Sequence, residues 1–147
     1  MKLLQNRWVL GLIRWALAAV FLYAGGSKLA SPANFSDSMA SFALLPHGLI
    51  PWVALGLPPF EILAGLCLVS GFQRRAALLG LTGLTAVFLL ALGSAVVRGI
   101  PVDCGCFGSG APSVYAAWIA FGRDILIFAL AAMLYRHEVF SALKGLE

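Results

Sequence analysis

The stretch AALLGLTGLTAVFLLALGSAVV, residues 76–97, contains no charged side chain and follows directly after Arg74 and Arg75. An α-helix of about 20 apolar residues is long enough to cross the hydrocarbon core of a bilayer. The whole chain has the same character, since 61% of its 147 residues are hydrophobic and 11% are charged. In soluble proteins about 25% of the residues are charged. The stretch therefore predicts a membrane helix, and the composition excludes a soluble globular enzyme.

Three further apolar segments have the length of a membrane span, at about residues 8–30, 49–71 and 114–135. With the first stretch they predict an all-α integral membrane protein, a four-transmembrane-helix bundle that forms one domain over residues 1–147. The first segment also has features of a signal peptide, because Lys2 and Arg7 precede it. However, Arg14 interrupts its apolar run, so we expect it to remain as a membrane helix.

Basic residues are distributed unevenly between the ends of these segments. Most lie beside the chain termini or in the short turn between the second and third spans, namely Lys2, Arg7, Arg74, Arg75, Arg136 and Lys144. The two longer loops are flanked by Lys28 and Arg98. Because cytoplasmic segments of membrane proteins are rich in Lys and Arg, we expect both termini in the cytoplasm. The protein would then lie in a bacterial inner membrane, with the two longer loops on the periplasmic side.

The first outer loop, residues 31–48, carries an apolar repeat. Its apolar side chains recur at spacings of four and three, at Phe35, Met39, Phe42 and Leu45. This spacing predicts a short amphipathic helix that lies on the membrane surface, with Asn34 or Ser36 as its N-cap. The helix would either seal the outer face of the bundle or act as a lid or docking surface.

The second outer loop, residues 98–113, contains Cys104 and Cys106 with a single glycine between them. In an oxidising periplasm two cysteines this close are candidates for a disulfide. The ring that such a disulfide closes is very small, and strained, exposed disulfides are the labile or catalytic ones. The pair therefore predicts a redox-active dithiol. We expect Asp103 to raise the pKa of the neighbouring thiol, and Arg98 to lower it if the loop folds back.

Two other interpretations of the cysteine pair stay open. Cys104 and Cys106 could bind a soft metal ion with Asp103, although this supplies at most three ligands and only His47 lies on the same side. They could instead be structural residues of a turn. The third cysteine, Cys67, is expected near the cytoplasmic face as a small core residue. Electrons from a redox pair would therefore pass to a quinone, a partner or a dithiol of another protein, and no certain cofactor is predicted.

Charged residues also occur inside the predicted spans, at Arg14, Glu61, Arg123 and Asp124. Because intramembrane charges face the bundle interior and pair, and because Glu61 and Arg123 lie at similar depth, we expect an ion pair between them. Neighbours on a helix project about 100° apart, so Asp124 should turn toward another helix. Arg14 is expected to snorkel, and Lys28 to reach headgroups or the outer loops. These charges either have a structural role, in which they hold the helices of the bundle together, or form a proton or quinone site around Glu61.

Several strings of this chain resemble a known family. The most specific is the sequence DCGCFG at residues 103–108, which follows Arg98 and Gly99. Supporting matches lie in the first, second and fourth spans, namely Arg14, Phe21, Gly25 and Lys28, then Pro58, Glu61, Gly65, Leu68 and Gly71, and finally Arg123 and Asp124. On these residues, nearly the whole chain is similar to the family of the methylamine-utilisation protein MauE, a branch of the larger DoxX-like membrane proteins.

This resemblance implies a four-helix membrane bundle that assists disulfide formation or maturation of a periplasmic protein and works with a thioredoxin-like partner. In the methylamine system the client is a disulfide-rich dehydrogenase subunit. We therefore expect Cys104 and Cys106 to be the catalytic residues of a thiol–disulfide oxidoreductase. Its expected partners are the lipid bilayer, a periplasmic thioredoxin-like protein and a client protein with disulfides, and not nucleic acid. The alternatives are a non-catalytic membrane scaffold with structural cysteines and a small-molecule or metal transporter.

Overall fold

The apolar segments of the chain fold as α-helices. The computed structural model describes residues 7–42, 44, 46–101 and 114–144. Its helices are α1 (Arg7–Ala30), α2 (Pro32–Ser41), α3 (Ile50–Ser70), α4 (Arg74–Val97) and α5 (Val114–Lys144). All of them except α2 are long and apolar enough to cross a membrane, and the described ranges contain no β-strand. The predicted all-α class with four candidate spans is confirmed.

The last helix is longer than its apolar segment. We predicted a span that ends near Tyr135, and α5 continues to Lys144. The residues that follow the apolar run include Arg136 and Glu138, which are good helix formers, so the backbone stays helical after the hydrophobic pattern has ended. The apolar pattern therefore predicts which part of α5 can lie in lipid, but it does not predict where the helix ends.

The short helix predicted between the first two spans is present as α2. It begins at Pro32 and its N-cap residue is Ser31, so the predicted caps Asn34 and Ser36 are wrong. Proline is favoured at the first helical position because its φ is already helical and its missing N–H would have no partner there. Of the predicted apolar positions, Phe35 is fully buried, which gives α2 an inward face.

The four long helices form a closed bundle in which each packs against two others, in the order α1, α3, α4, α5 and back to α1. The turn between α3 and α4 is tight. Gly71 adopts the left-handed conformation with φ 79° and donates its backbone N–H to the carbonyl of Cys67 at 3.0 Å. Glycine is favoured at this position because it has no Cβ. The short turn makes α3 and α4 antiparallel neighbours, while α2 lies across α3 and α1.

Two glycines allow α1 and α3 to approach closely. A Cβ atom on Gly25 would lie 2.8 Å from Cγ1 of Ile62 and 2.9 Å from the carbonyl oxygen of Pro58. A Cβ atom on Gly65 would lie 2.9 Å from Cγ of Leu22. Such positions let helix backbones pack tightly in a membrane, where dispersion contacts rather than hydrophobicity hold helices together. The contacts also show that α1 and α3 are antiparallel, since the later glycine in α3 meets the earlier residue in α1.

Buried apolar side chains form two clusters separated by a polar layer. One cluster includes Leu10, Leu17, Ala64, Leu68, Leu78, Leu81 and Leu134. The other contains Phe42, Leu92, Ala95, Val96, Ala117 and Ala120. The buried polar residues Lys28, Glu61, Thr85 and Asp124 lie between them along the helices. Thr85 falls between Leu81 and Leu92, for example. The bundle therefore holds its buried charge in one layer.

The outer surface of the bundle is apolar, as expected of a membrane protein. Large hydrophobic side chains are exposed along all four long helices. Three of the exposed aromatic residues lie at helix starts, namely Trp8 in α1, Trp52 in α3 and Tyr115 in α5, while others such as Trp15 and Phe60 lie further along their helices. Trp and Tyr concentrate at the two membrane–water interfaces because their rings are amphipathic. The protein is a membrane protein.

Replacing Gly25 by alanine should destabilise the bundle. The new Cβ would meet the Pro58 carbonyl, which is backbone and cannot rotate away. Overpacking of this kind costs about 1–3 kcal/mol. We expect Gly25→Ala to lower the free energy of unfolding in mixed micelles by that amount.

The neighbouring Gly26 provides the matched control, because a Cβ there meets no atom within 4 Å. Alanine favours a helix over glycine by about 1 kcal/mol, so Gly26→Ala should leave stability unchanged or raise it. Equal destabilisation by Gly25→Ala and Gly26→Ala would contradict the close approach of α1 to α3.

Candidate functional site

The shortest ion pair among the described residues joins α1 to α3. Nζ of Lys28 lies 2.6 Å from Oε1 of Glu61, and the two side chains are 2% and 6% exposed. The predicted ion pair between Glu61 and Arg123 is therefore wrong. Lys28 does not extend to headgroups as expected, although its Nζ does contact Phe35 of the first outer loop. Lys28 is a buried member of the bundle interior.

The direction of helical side chains explains this pairing. Side chains on an α-helix lean toward the N-terminus of their own helix. Lys28 near the end of α1 therefore leans into the bundle, and Glu61 in the antiparallel α3 leans back toward it. Gly25, one turn before Lys28, lies against Pro58, one turn before Glu61. The close approach at Gly25 thus brings the ammonium and the carboxylate together.

A second ion pair lies within α5. Nε and Nη2 of Arg123 lie 2.9 and 2.8 Å from Oδ1 of Asp124. The expectation that Asp124 turns toward another helix for its main partner is wrong, because Asp124 pairs with the adjacent Arg123. The angle of about 100° between neighbours separates their Cβ atoms, but the long arginine side chain can curve back. Its Nε–H donates to Oδ1 of Asp124, and Nη2 lies in ion-pair contact with the same oxygen. Asp124 is nearly fully buried, whereas Arg123 is partly exposed.

The two ion pairs surround one small cavity. Its volume is about 50 Å³, and its polar lining consists of Lys28, Glu61, Thr85, Arg123 and Asp124. A water molecule takes about 30 Å³ in the liquid, so one or two fit. The four charges formally cancel, so the cavity suits a neutral polar group. Oε2 of Glu61 is buried and has no hydrogen-bond partner among the residues that the structure describes.

Aromatic rings cover the buried ammonium group. Nζ of Lys28 lies 5.1 Å from the ring centroid of Phe35 in α2 and 5.7 Å from that of Phe88 in α4. Both distances allow cation–π attraction, which strengthens when water is excluded. Phe88 in turn packs edge-on against Phe42, which follows α2. Helix α2 therefore places Phe35 over the ion pair, which favours the predicted sealing role.

The predicted catalytic residues Cys104 and Cys106, together with Asp103, lie outside the described residues. The structure does describe how α4 ends before them. Gly99 has φ 64°, and the N–H of Ile100 donates to the carbonyl of Ala95 at 3.0 Å. These are features of a Schellman motif, which ends a helix by satisfying its last carbonyls.

Arg98 is held at the same end of the bundle. Its Nη1 donates to the backbone carbonyl of Phe42 at 3.3 Å, so it ties the end of α4 to the end of α2. The loop that carries the cysteine pair leaves α4 directly after this contact. The helix ends that flank the loop are therefore on the side of the bundle where α2 lies.

The other predicted site residues lie away from the polar cavity. Cys67 packs against the apolar cluster around Leu68, about 9 Å along α3 from Glu61. Arg14 is half-buried in α1, and its Nε has no hydrogen-bond partner within the described parts of the chain. Within those parts, no three His, Cys, Asp or Glu side chains are close enough to hold a metal ion.

Removal of one partner from the buried Lys28–Glu61 pair should strongly destabilise the bundle. A buried charge that loses its partner costs about 3–5 kcal/mol, whereas replacement of both partners by apolar residues is often neutral. We expect Lys28→Met to lower the free energy of unfolding by about that amount in mixed micelles. Adding Glu61→Leu to the same chain should recover most of the loss.

An exposed ion pair offers the control for this cycle. Nη1 of Arg74 lies 3.8 Å from Oε1 of Glu138, and both side chains are accessible to solvent. Exposed pairs contribute about 0–1 kcal/mol, so Glu138→Gln should change stability little. A double variant as unstable as Lys28→Met would show that packing, rather than charge pairing, explains the loss.

The chain was compared with known proteins. The family model of "Methylamine utilisation protein MauE" matches residues 6–136. The methylamine utilization protein MauE of Paracoccus denitrificans is 34% identical over 124 residues, which cover 84% of this chain and 66% of that protein. Its counterpart from Paracoccus versutus is 34% identical over 125 residues, which cover 82% and 67%. No solved structure matches significantly. The chain belongs to the MauE family.

Proposed function

We propose that this protein exchanges disulfides through Cys104 and Cys106 with a thioredoxin-like protein on the periplasmic side of a bacterial inner membrane. The observation that carries this proposal is the Cys-Gly-Cys pair within a chain matched to the MauE family over residues 6–136. A pair so close in sequence would form a strained disulfide, and strained disulfides exchange readily. The third cysteine, Cys67, packs in the bundle and is distant from the pair in sequence.

The exchange has two steps. A thiolate of the reduced partner attacks one sulfur of the Cys104–Cys106 disulfide, which breaks that bond and forms a mixed disulfide between the proteins. The second thiolate of the partner then attacks the mixed disulfide. The partner leaves with a disulfide, and Cys104 and Cys106 are left as two thiols after taking up two protons. Two electrons thus pass from the partner to this protein.

The charge distribution supports the proposed orientation. Lys28 is neutralised by Glu61 inside the bundle, so Arg98 is the remaining cation beside the described ends of the two outer loops. At the opposite end of the bundle the chain carries Arg74, Arg75 and Arg136. Cytoplasmic ends are the more basic ones, and this asymmetry is larger than the sequence count suggested. The cysteine loop would accordingly face the periplasm.

The relatives suggest the setting of this chemistry. Both carry the name methylamine utilization protein, and the chain spans about two thirds of their lengths. We propose that the client of the exchange is a disulfide-rich protein of methylamine metabolism, such as a dehydrogenase subunit, matured through the thioredoxin-like partner. The bundle itself would supply a membrane anchor that keeps the cysteine loop at the periplasmic surface.

Counting thiols tests whether the pair forms a bond. The chain has three cysteines. If Cys104 and Cys106 are joined, denatured protein from untreated membranes should react with a maleimide at one site, Cys67. After reduction it should react at three sites. Mass spectrometry of the labelled protein gives the counts, and three reactive thiols before reduction would argue against a disulfide.

Trapping tests the exchange itself. With Cys104→Ala or Cys106→Ala, the remaining thiol of one variant should attack the disulfide of an oxidised thioredoxin-like protein, in the reverse of the exchange, and stay joined to it as a mixed disulfide. The second cysteine of this protein, which would otherwise release the partner, is absent in that variant. Non-reducing electrophoresis and mass spectrometry would identify the complex. Cys67→Ala is the control and should behave as wild type.

The scaffold alternative makes the opposite prediction. If Cys104→Ala and Cys106→Ala both support client maturation in cells and neither captures a partner, the exchange proposal is wrong. Co-purification of the partner regardless of redox state would then favour an assembly role.

A further inference from the structure

Two apolar grooves lie on the outer surface of the bundle, one on each side of α4. The first groove has a volume of about 490 Å³ and is formed by α2, α3 and α4, with Phe42 and Val87 in its lining. The second groove has a volume of about 500 Å³ and lies between α4 and α5, with Val97 and Trp118 in its lining. Val87 and Val97 are 66% and 88% exposed, so both grooves open toward the surrounding membrane.

A ridge on α4 separates the two grooves and ends at a cationic side chain. Leu90 and Ser94 line both grooves. The helix continues from Ser94 to its C-cap residue Arg98 at the same spacing, so the three residues lie along one face of α4. Arg98 lines the second groove, and its Nη1 donates to the backbone carbonyl of Phe42, which lines the first. The guanidinium group therefore borders both grooves at the end of α4.

Arg98 brings a positive charge to this surface. The residue is exposed, and it forms no ion pair with any residue that the structure describes. Within the same part of the chain, its guanidinium donates a hydrogen bond to Phe42 alone. A guanidinium group has several N–H donors in a planar fork, which matches the oxygens of a phosphate group. The surface therefore combines a cation that suits phosphate with two grooves that suit hydrocarbon.

The position of Arg98 matches the level of lipid headgroups. Helix α4 ends here, and Trp118, near the start of α5, lines the second groove together with Arg98. Tyr115 at the start of α5 and Trp52 at the start of α3 are exposed at the same end of the bundle. Because Trp and Tyr concentrate at the membrane–water interface, the guanidinium group lies at that interface. Both grooves extend from it along the apolar surface.

We propose that the two grooves bind the two acyl chains of one anionic glycerophospholipid, one chain on each side of the ridge, with the lipid phosphate on Arg98. A lipid with one net negative charge balances the charge of this side chain, and Arg and Lys near the membrane surface attract anionic lipids. The first groove extends from Ser94 to Leu84, about 15 Å along α4, so a chain that begins beside Arg98 lies against the helix for that length. This site is separate from the cysteine chemistry of the proposed function and does not depend on it.

The lining of the grooves favours a two-chain lipid over other ligands. Apart from Ser94 and Arg98, the described lining residues are apolar, so the grooves offer their surface to hydrocarbon. The polar contact lies at the headgroup level instead of inside a groove. A ligand with one chain would fill one groove only, and inorganic phosphate would contact Arg98 and leave both grooves empty. A phospholipid matches all three parts of the surface.

Lipid titration tests the contact with phosphate. The full chain in detergent micelles is titrated with dioleoylphosphatidylglycerol, and bound lipid is counted by native mass spectrometry. Arg98→Gln should weaken the binding of the first lipid about tenfold, because hydrogen bonds from a charged donor are the stronger ones. Arg98→Lys keeps the charge and should keep most of the affinity. The control is Arg75→Gln, which removes an exposed arginine from the other end of α4 that lines neither groove, and it should bind as wild type.

Filling each groove tests the contacts with the acyl chains. Val87→Trp and Val97→Trp each place a large ring in one groove at an exposed position, where folding should tolerate it. Each variant should weaken lipid binding several-fold, because the displaced chain loses its contacts with the groove wall. The control is Leu79→Trp, also on α4 and 56% exposed but lining neither groove. Dioleoylglycerol, which has the same chains and no phosphate, should bind weakly and equally to wild type and Arg98→Gln.

Several results would overturn the lipid site. Binding by Arg98→Gln as tight as by wild type would exclude the phosphate contact, and equal losses in Arg98→Gln and Arg98→Lys would assign the effect to the bond with Phe42 instead of the charge. An effect of only one of Val87→Trp and Val97→Trp would exclude a single lipid across both grooves. Displacement of the lipid by excess inorganic phosphate would show that Arg98 binds free phosphate, and equal affinity for dioleoylphosphatidylcholine would refute the preference for an anionic lipid.

Discussion

An isolated charge inside a bilayer costs about 2.5–3.5 kcal/mol of insertion free energy. The helices of the bundle pack so that their buried charges form ion pairs, which offset this cost. Lys28 and Glu61 neutralise each other between α1 and α3 at 2.6 Å. Gly25, one turn before Lys28, allows α1 to pass close to the backbone of Pro58, one turn before Glu61. The tight packing of α1 on α3 and the buried ion pair therefore occupy the same part of the helix interface.

The same constraint shapes the region around the pair. Apolar clusters lie on both sides of the polar layer, and α2 places Phe35 over the Lys28 ammonium. The layer is thereby shielded from water, which strengthens its electrostatic contacts. Its net neutrality suits it to a neutral polar group rather than an ion, and so does the Oε2 of Glu61, which has no hydrogen-bond partner in the described part of the chain. The side chains of Leu84 and Phe88 separate this layer from an adjoining apolar groove.

Local pattern predicted the helices but not all of their ends, and the predicted partners of the buried charges were wrong. The four spans and α2 follow from apolar runs and from spacings of three and four, which depend on the geometry of a single helix. The partner of Glu61 depends on which helices are neighbours and on the direction in which their side chains lean. Similar depth in the membrane predicts Arg123 as the partner of Glu61. In the structure the Lys28 side chain leans inward from the end of α1 and pairs with Glu61 instead. The lean of helical side chains toward their N-termini was the available signal.

The sequence by itself determined the membrane class, the number of candidate spans and the family, because composition, apolar run length and the Cys-Gly-Cys motif are all local properties of the chain. It also identified Glu61, Arg123 and Asp124 as charged residues that need partners, but it did not identify Lys28. Only the tertiary structure decided how those residues pair, that they share one cavity and that an apolar groove adjoins it. Each of these depends on distances between residues far apart in sequence, which are set by the packing of four helices against one another.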